Sequence, residues 1–81
     1  MHELSLATAL VEQVAEIAVR EKFDRVVKIH LELGELSGVD RHCFEFCFPE
    51  VCKGSVLEEA QLVLDFVKRG RDFRIIDLDV L

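Results

Sequence analysis

The sequence predicts a single small α+β domain, residues 1–81, with two helices packed on one face of a three-stranded mixed sheet. Two observations lead to this prediction. Hydrophobic spacing changes along the chain between the helical step and the strand step, in the order helix, strand, helix, strand, strand. In addition, 51% of the 81 residues are hydrophobic, which is high for a disordered chain and sufficient for one small core.

The first helix is predicted from about Leu4 to Lys22. Apolar residues recur there at steps of three and four, which gathers them on one side of a helix. They are Leu4, Ala7, Leu10, Val11, Val14, Ile17 and Ala18. Residues 25–33 then change to a step of two, which predicts a strand with one buried face. Its predicted buried residues are Val27, Ile29, Leu31 and Leu33, and its polar residues are Lys28, His30 and Glu32.

The second helix is predicted from about Asp40 to Cys52. Asp40 can cap it by accepting hydrogen bonds from free backbone N–H groups. Pro49 lacks a backbone donor, so we expect a kink or an early stop there. The apolar side of this helix consists of Phe44, Cys47, Phe48 and Val51.

Strands two and three are predicted at about 61–68 and 72–80. The short basic segment between them, near 68–71, predicts a hairpin. In the third strand the apolar residues change face, which indicates either two partly covered faces or a bulge near Ile75–Ile76. Strands one and two flank a helix and should pair in parallel. The open face of the sheet should then carry Val63, Val67 and either Phe73 or Ile75, and an exposed apolar strip there would indicate a partner chain.

Composition excludes several classes of function. The net charge of −6 argues against a nucleic-acid binder that depends on phosphate contacts. No apolar run approaches the ~20 residues of a membrane span. The start does not resemble a secretion signal, and three cysteines without a framework spacing predict a reduced, cytoplasmic protein. The basic cluster from Lys68 to Arg71 is interpreted as a solvated turn, with a docking patch for an acidic partner as the alternative. No catalytic motif is present, so we do not expect an enzyme.

The opening residues Met1, His2 and Glu3 are the first candidate metal site. The α-amine of Met1, the amide and imidazole of His2 and the amide of Glu3 are four nitrogens close together on the chain. Ni(II) and Cu(II) favour such tetragonal nitrogen and oxygen ligation. Without further support, a solvated N-terminus is the commoner state. Asp40 could supply an oxygen ligand or accept a hydrogen bond from His2, although the helix cap is the favoured role.

A second candidate site combines His42, Cys43 and Cys47, which share one side of the second helix. As soft ligands, these side chains would suit zinc or Cu(I). The interleaved Phe residues instead favour a core position for Cys47, because a free cysteine often behaves as a small hydrophobe. Cys52, near the helix end, is expected to be exposed and reactive, and His30 is expected to be solvated.

Several motifs in order resemble the HypA/HybF family of nickel metallochaperones. Met1 to Leu6 is close to that family's M-H-E-x-S-[LV] opening, and Leu31 to Ser37 is similar to its L-x-[IL]-G-x-L-S turn. Gly54 to Leu62 matches the segment G-T-x-x-E-x-A-x-L. The stretch Phe44–Phe48 and the final strand continue the resemblance over essentially the whole chain.

The resemblance implies a nickel-binding chaperone module for [NiFe]-hydrogenase maturation. Ni(II) would be held by His2 and backbone nitrogens of Met1–Glu3 and passed to the hydrogenase large subunit. A HypB-type GTPase is the implied partner, and a homodimer is left open. The family's zinc domain lies between strands two and three, where this chain has the short turn near 68–71 and no C-x-x-C pair, so its structural zinc is predicted to be absent. The alternative is an interaction or regulatory module that keeps the scaffold without metal delivery.

Overall fold

The computed structural model describes residues 3–81. The elements follow the predicted order: α1 (Glu3–Glu21), β1 (Val26–Gly34), α2 (Arg41–Cys52), β2 (Gln61–Val67) and β3 (Phe73–Val80). In α1 the buried residues are Ala7, Leu10, Val14 and Ala18, whose spacing confirms the predicted stripe. Leu4 is the exception, since it is 60% exposed at the start of the helix, and Leu6 packs against the core instead.

The sheet has the order β2-β1-β3, so β1 lies in its centre. β1 pairs with β2 in parallel, as predicted, and with β3 antiparallel. Ile29, Leu31 and Leu33 of β1 are fully buried in one core cluster with residues from both helices. The two helices also pack against one another. The predicted mixed sheet with helices on one face is confirmed.

The predicted hairpin between β2 and β3 is wrong, because β1 lies between these two strands. Residues 68–72, here called the crossing segment, instead pass over the end of β1. Backbone hydrogen bonds hold the segment there: the Gly34 amide donates to the Asp72 carbonyl at 2.8 Å, and the Leu36 amide donates to the Gly70 carbonyl at 2.8 Å. A short basic connection between two strands fits both topologies, so the sequence pattern did not distinguish them.

Two irregularities in the β1–β3 ladder decide which residues reach the core. The pairs Val26–Val80 and Lys28–Asp79 leave Val27 as an extra residue in β1. Val27 is therefore 46% exposed and Val26 is fully buried, contrary to the predicted burial of Val27.

In β3 the extra residue is Ile76, because Asp77 pairs with His30 and Ile75 pairs with Leu31. This confirms the predicted bulge near Ile75–Ile76. The bulge lets Phe73, Ile75 and Leu78 all pack against the core, so the placement of Phe73 or Ile75 on the open face is wrong.

α2 begins as predicted. Asp40 is extended (φ −82°, ψ 121°), and its Oδ1 accepts a hydrogen bond from the Cys43 amide at 2.8 Å, which confirms the N-cap. The helix continues past Pro49 to Cys52, so an early stop at the proline is wrong. Phe44, Phe48 and Cys52 are its buried residues.

The open face of the sheet is mainly charged. Lys28 pairs with Asp79 at 3.4 Å, and the Arg74 Nε donates to Glu32 at 3.0 Å. Val63 and Val67 are half-buried on β2. Of the four residues named for the expected apolar strip, Val63 and Val67 lie on this face.

Candidate functional site

Met1 and His2, two of the three predicted metal ligands, lie outside the described residues. Glu3, the third, is the first residue of α1. The first N–H groups of a helix have no acceptor within the helix, so a metal can take the Glu3 amide nitrogen without breaking a helical hydrogen bond.

The Glu3 side chain makes a contact that ties the start of α1 to the start of α2. Its Oε2 accepts a hydrogen bond from the Asp40 backbone amide at 2.9 Å. This hydrogen bond, followed by the N–H of Glu3 itself, lowers the pKa of the Glu3 carboxyl from its ordinary value of 4.5. The carboxylate is therefore ionised at neutral pH beside the Asp40 cap.

Cys43 lies at the same junction. Desolvation raises the pKa of its thiol, and a hydrogen bond to Glu3 and the negative charge of Glu3 raise it further. The junction of Glu3, Asp40 and Cys43, here called the helix-start junction, combines two carboxylates and one protonated thiol. Hard oxygen donors of this kind complement the nitrogens of an N-terminal segment in a nickel site.

The sequence did not predict this junction. The cap role of Asp40 was predicted and is confirmed, but the contact between Glu3 and Asp40 joins residues 37 positions apart. No local pattern signals such a contact, because it depends on how α1 and α2 pack.

The second predicted cluster is divided among different environments. His42 and Cys43 are exposed, and Cys47 is half-buried, with its Sγ donating to the Phe44 carbonyl at 3.6 Å. Between Glu3 and Leu81, no three His, Cys, Asp or Glu residues are grouped so that they could hold a metal ion.

One single-residue expectation is wrong. Cys52 is only 1% exposed, and burial raises the pKa of its thiol to about 11, so it is neither exposed nor reactive. This burial follows from tertiary packing that the neighbouring sequence does not reveal. His30 lies on the polar face of β1 as expected and is partly exposed, and its Nε2 lies 2.6 Å from Oδ2 of Asp65 on the neighbouring strand.

Comparison with known proteins identifies relatives of the chain. The family described as "Hydrogenase/urease nickel incorporation, metallochaperone, hypA" matches residues 1–78. The hydrogenase maturation factor HypA of Psychromonas ingrahamii is 42% identical over 65 residues, which cover 80% of this chain and 57% of that protein. The protein of the same name from Synechococcus elongatus is 43% identical over 67 residues, covering 83% and 60%. The chain thus spans little more than half the length of these relatives.

Solved structures have the same fold. The solution structure of the Ni metallochaperone HypA from Helicobacter pylori aligns with a TM-score of 0.89 at 18% identity, covering 100% of this chain and 98% of that one. A second solution structure of a HypA protein aligns with a TM-score of 0.81 at 19% identity, covering 100% of this chain and 97% of that one. At these identities the structural matches support the fold alone.

In the part of the chain from Glu3 onward, neither helix combines the length and apolar character needed to cross a membrane. The motifs, the fold and the matched family agree along almost the whole chain. The chain belongs to the HypA family of hydrogenase/urease nickel-incorporation metallochaperones.

Proposed function

We propose that this chain is a nickel-binding metallochaperone module that holds Ni(II) at its N-terminus for hydrogenase maturation. Its ligands would be the amine of Met1, the imidazole and amide nitrogens of His2, and the amide nitrogen of Glu3. The observation that supports the proposal most is the hydrogen bond from the Asp40 amide to Glu3. It fixes the start of α1, and therefore the attachment point of the N-terminal segment, beside the Asp40 carboxylate.

The electrostatics of the helix-start junction also support cation binding. The N-terminus of a helix carries a partial positive charge, which disfavours a divalent cation. The ionised Glu3 carboxylate and the Asp40 carboxylate offset that charge, as would deprotonated amide ligands. Asp40 uses Oδ1 for the helix cap, which leaves Oδ2 to bind the metal or to accept from the imidazole of His2.

The test is a calorimetric titration of Ni(II) into protein that begins with the free amine of Met1. His2→Ala should lower the affinity by more than the roughly 10–100-fold that loss of an outer hydrogen-bond partner costs. Acetylation of the Met1 amine should have a similar effect. Equal affinity in the unmodified protein and in the His2→Ala variant would exclude this site.

Asp40→Asn tests the contribution of the carboxylate. Asparagine caps helices about as well as aspartate, so the fold should be preserved while the negative charge is lost. We expect weaker nickel binding with an unchanged unfolding midpoint in the absence of metal. Unchanged nickel affinity would show that Asp40 serves only as the helix cap.

We further propose that the module acts in the cytoplasm with a HypB-type GTPase and delivers nickel to a hydrogenase large subunit. Membership of the family supports these partners. An affinity-tagged chain, with the tag at the C-terminus to keep the Met1 amine free, should co-purify with the GTPase from hydrogenase-producing cells. If neither partner is recovered after cross-linking, the proposed partners are wrong. The nickel site is tested separately, by the calorimetric titration.

A further inference from the structure

β2 is an edge strand without the usual protection against pairing with another chain. Natural edge strands are typically guarded by lysines, prolines, bulges or inward-pointing charges. β2 has the sequence Gln61–Val67 and carries one charged residue, Asp65. Oδ2 of Asp65 lies 2.6 Å from His30, so its side chain is directed towards β1 and away from the free edge.

The other edge strand, β3, is better guarded. Both register shifts of the sheet occur in the β1–β3 ladder, whereas the β1–β2 ladder runs without a shift from Lys28–Gln61 to Gly34–Val67. Bulges increase the local twist and make an edge a poor template for pairing. β3 also carries Arg74, Asp77 and Asp79. β2 is therefore the straighter and more apolar of the two edges.

The charges that flank β2 are self-complementary. Glu58 and Glu59 precede the strand, and Lys68 and Arg69 follow it. Among residues 3–81, Glu58, Lys68 and Arg69 form no ion pair, and Glu59 has only an exposed contact with Arg25 at 3.7 Å. Two such strands side by side attract each other when antiparallel and repel each other when parallel.

We propose that a second copy of the chain pairs with β2 along its free edge, antiparallel and with Leu64 opposite its own counterpart. In this register Phe66 lies opposite Leu62 of the second copy, and Asp65 lies opposite Val63. The acidic end of each strand then meets the basic end of the other, with Arg69 opposite Glu59. A register centred on Asp65 would place two carboxylates face to face, which disfavours it.

The exposure of the strand is consistent with this partner. Phe66 is 41% exposed on the edge, and Leu62, Val63 and Val67 are half-buried. A two-fold axis perpendicular to the sheet keeps the helices of both copies on the same face and joins the two sheets into a continuous six-stranded sheet. One strand pair contributes less contact than a standard interface, so the dimer should form in a concentration-dependent way.

Sedimentation velocity tests the proposal in EDTA, which removes any contribution from bound nickel. Between about 10 μM and 1 mM the mass should rise from 9.3 kDa towards twice that value. Val63→Glu places a carboxylate opposite Asp65 of the second copy, at two symmetry-related positions, and should keep the protein monomeric because like charges then face each other. Ile76→Glu is the matched control on β3 and should leave association unchanged. Monomeric protein at every concentration would overturn the proposal, as would a dimer that is lost in the control alone or kept in both variants.

Charge exchange tests the antiparallel register. The double variants Lys68→Glu/Arg69→Glu and Glu58→Lys/Glu59→Lys should each raise the dissociation constant at least about tenfold, because like charges then meet at both ends. An equimolar mixture should associate again, since in the mixed dimer opposite charges meet at both ends. Circular dichroism checks that each variant is folded. If the mixture associates no better than the separate variants, antiparallel pairing of β2 is excluded.

Discussion

At the scale of single residues, Asp40 serves both helices through different atoms. Its carboxylate caps α2 by accepting from the Cys43 amide, and its own amide donates to Glu3 at the start of α1. One residue therefore sets the beginning of α2 and holds the beginning of α1 next to it. Glu3, which follows the proposed ligands Met1 and His2 in the chain, is thereby held at this junction.

We predict that Glu3→Gln weakens the metal-free fold at neutral pH but not in acid. The pKa of Glu3 is lowered in the folded chain by the Asp40 amide, so its contribution is fully present above about 4.5, its ordinary value, and is lost as the pH falls through the folded value. Urea unfolding in EDTA at pH 7 and pH 3 measures this difference. A gap between the wild type and Glu3→Gln that is equal at both pH values would contradict the lowered pKa.

Cys43 and Cys52 should react in an order set by their burial. Cys43 is exposed and should be alkylated first by iodoacetamide at pH 8. Cys52 is 1% exposed with a pKa of about 11, so it should react only when the fold opens. Peptide mass spectrometry over time measures both rates. If Cys52 reacts as fast as Cys43 in the folded protein, its burial in the core at the end of α2 is incorrect.

At the scale of elements, Gly34 allows the crossing segment to pass over the end of β1. A Cβ at this position would overlap the carbonyl carbon and oxygen of Gly70 and would lie 2.6 Å from the Arg71 nitrogen. These are backbone atoms, which cannot move aside as a flexible side chain can. The glycine is therefore required by close approach of two backbones.

Gly34→Ala should destabilise the chain by more than about 2 kcal/mol, because the overlap can be relieved only by displacing the crossing segment. Gly38→Ala is the control: its φ of +82° makes alanine strained, but nothing lies within 4 Å, so a loss of about 1–2 kcal/mol is expected. Thermal unfolding of both variants gives the comparison. A Gly34→Ala variant as stable as Gly38→Ala would mean that the connection does not cross β1 at this point.

At the scale of the whole molecule, a single core cluster joins both helices to all three strands. Phe44 has a central place in it, with its ring 5.3 Å from that of Phe48 and 5.5 Å from that of Phe73. The second contact is tilted edge to face and links α2 to β3. Packing around Phe44 thus determines how α2, and with it Asp40, is positioned over the sheet.

Phe44→Ala should cost about 3–5 kcal/mol, the usual loss for a fully buried aromatic side chain. Phe46→Ala is a matched control on the same helix, because Phe46 is 84% exposed and its removal should change stability by less than about 0.5 kcal/mol. Denaturant unfolding of both variants tests the assignment. Similar losses at the two positions would mean that α2 is rotated relative to the structure described.

The sequence by itself determined the order and type of the elements, the stripe on α1 and the Asp40 cap, and it indicated the bulge in β3 as one of two alternatives. These features arise from residue spacing and from hydrogen bonds between residues a few positions apart. They can therefore be predicted from the local sequence. The opening Met1-His2-Glu3 and the ordered motifs also pointed to the family.

Only the tertiary structure decided the placement of β1 between β2 and β3, the crossing at Gly34, the contact of Glu3 with Asp40 and the burial of Cys52. A short basic connection such as residues 68–72 can form either a hairpin or a crossing. A residue at a helix end, such as Cys52, can be either exposed or buried. Each outcome depends on contacts between distant parts of the chain, whose energies favour one packing of the same elements over another. The position of Glu3 beside Asp40 belongs to this second group, whereas the nitrogens proposed to bind nickel are a feature of the first three residues of the sequence.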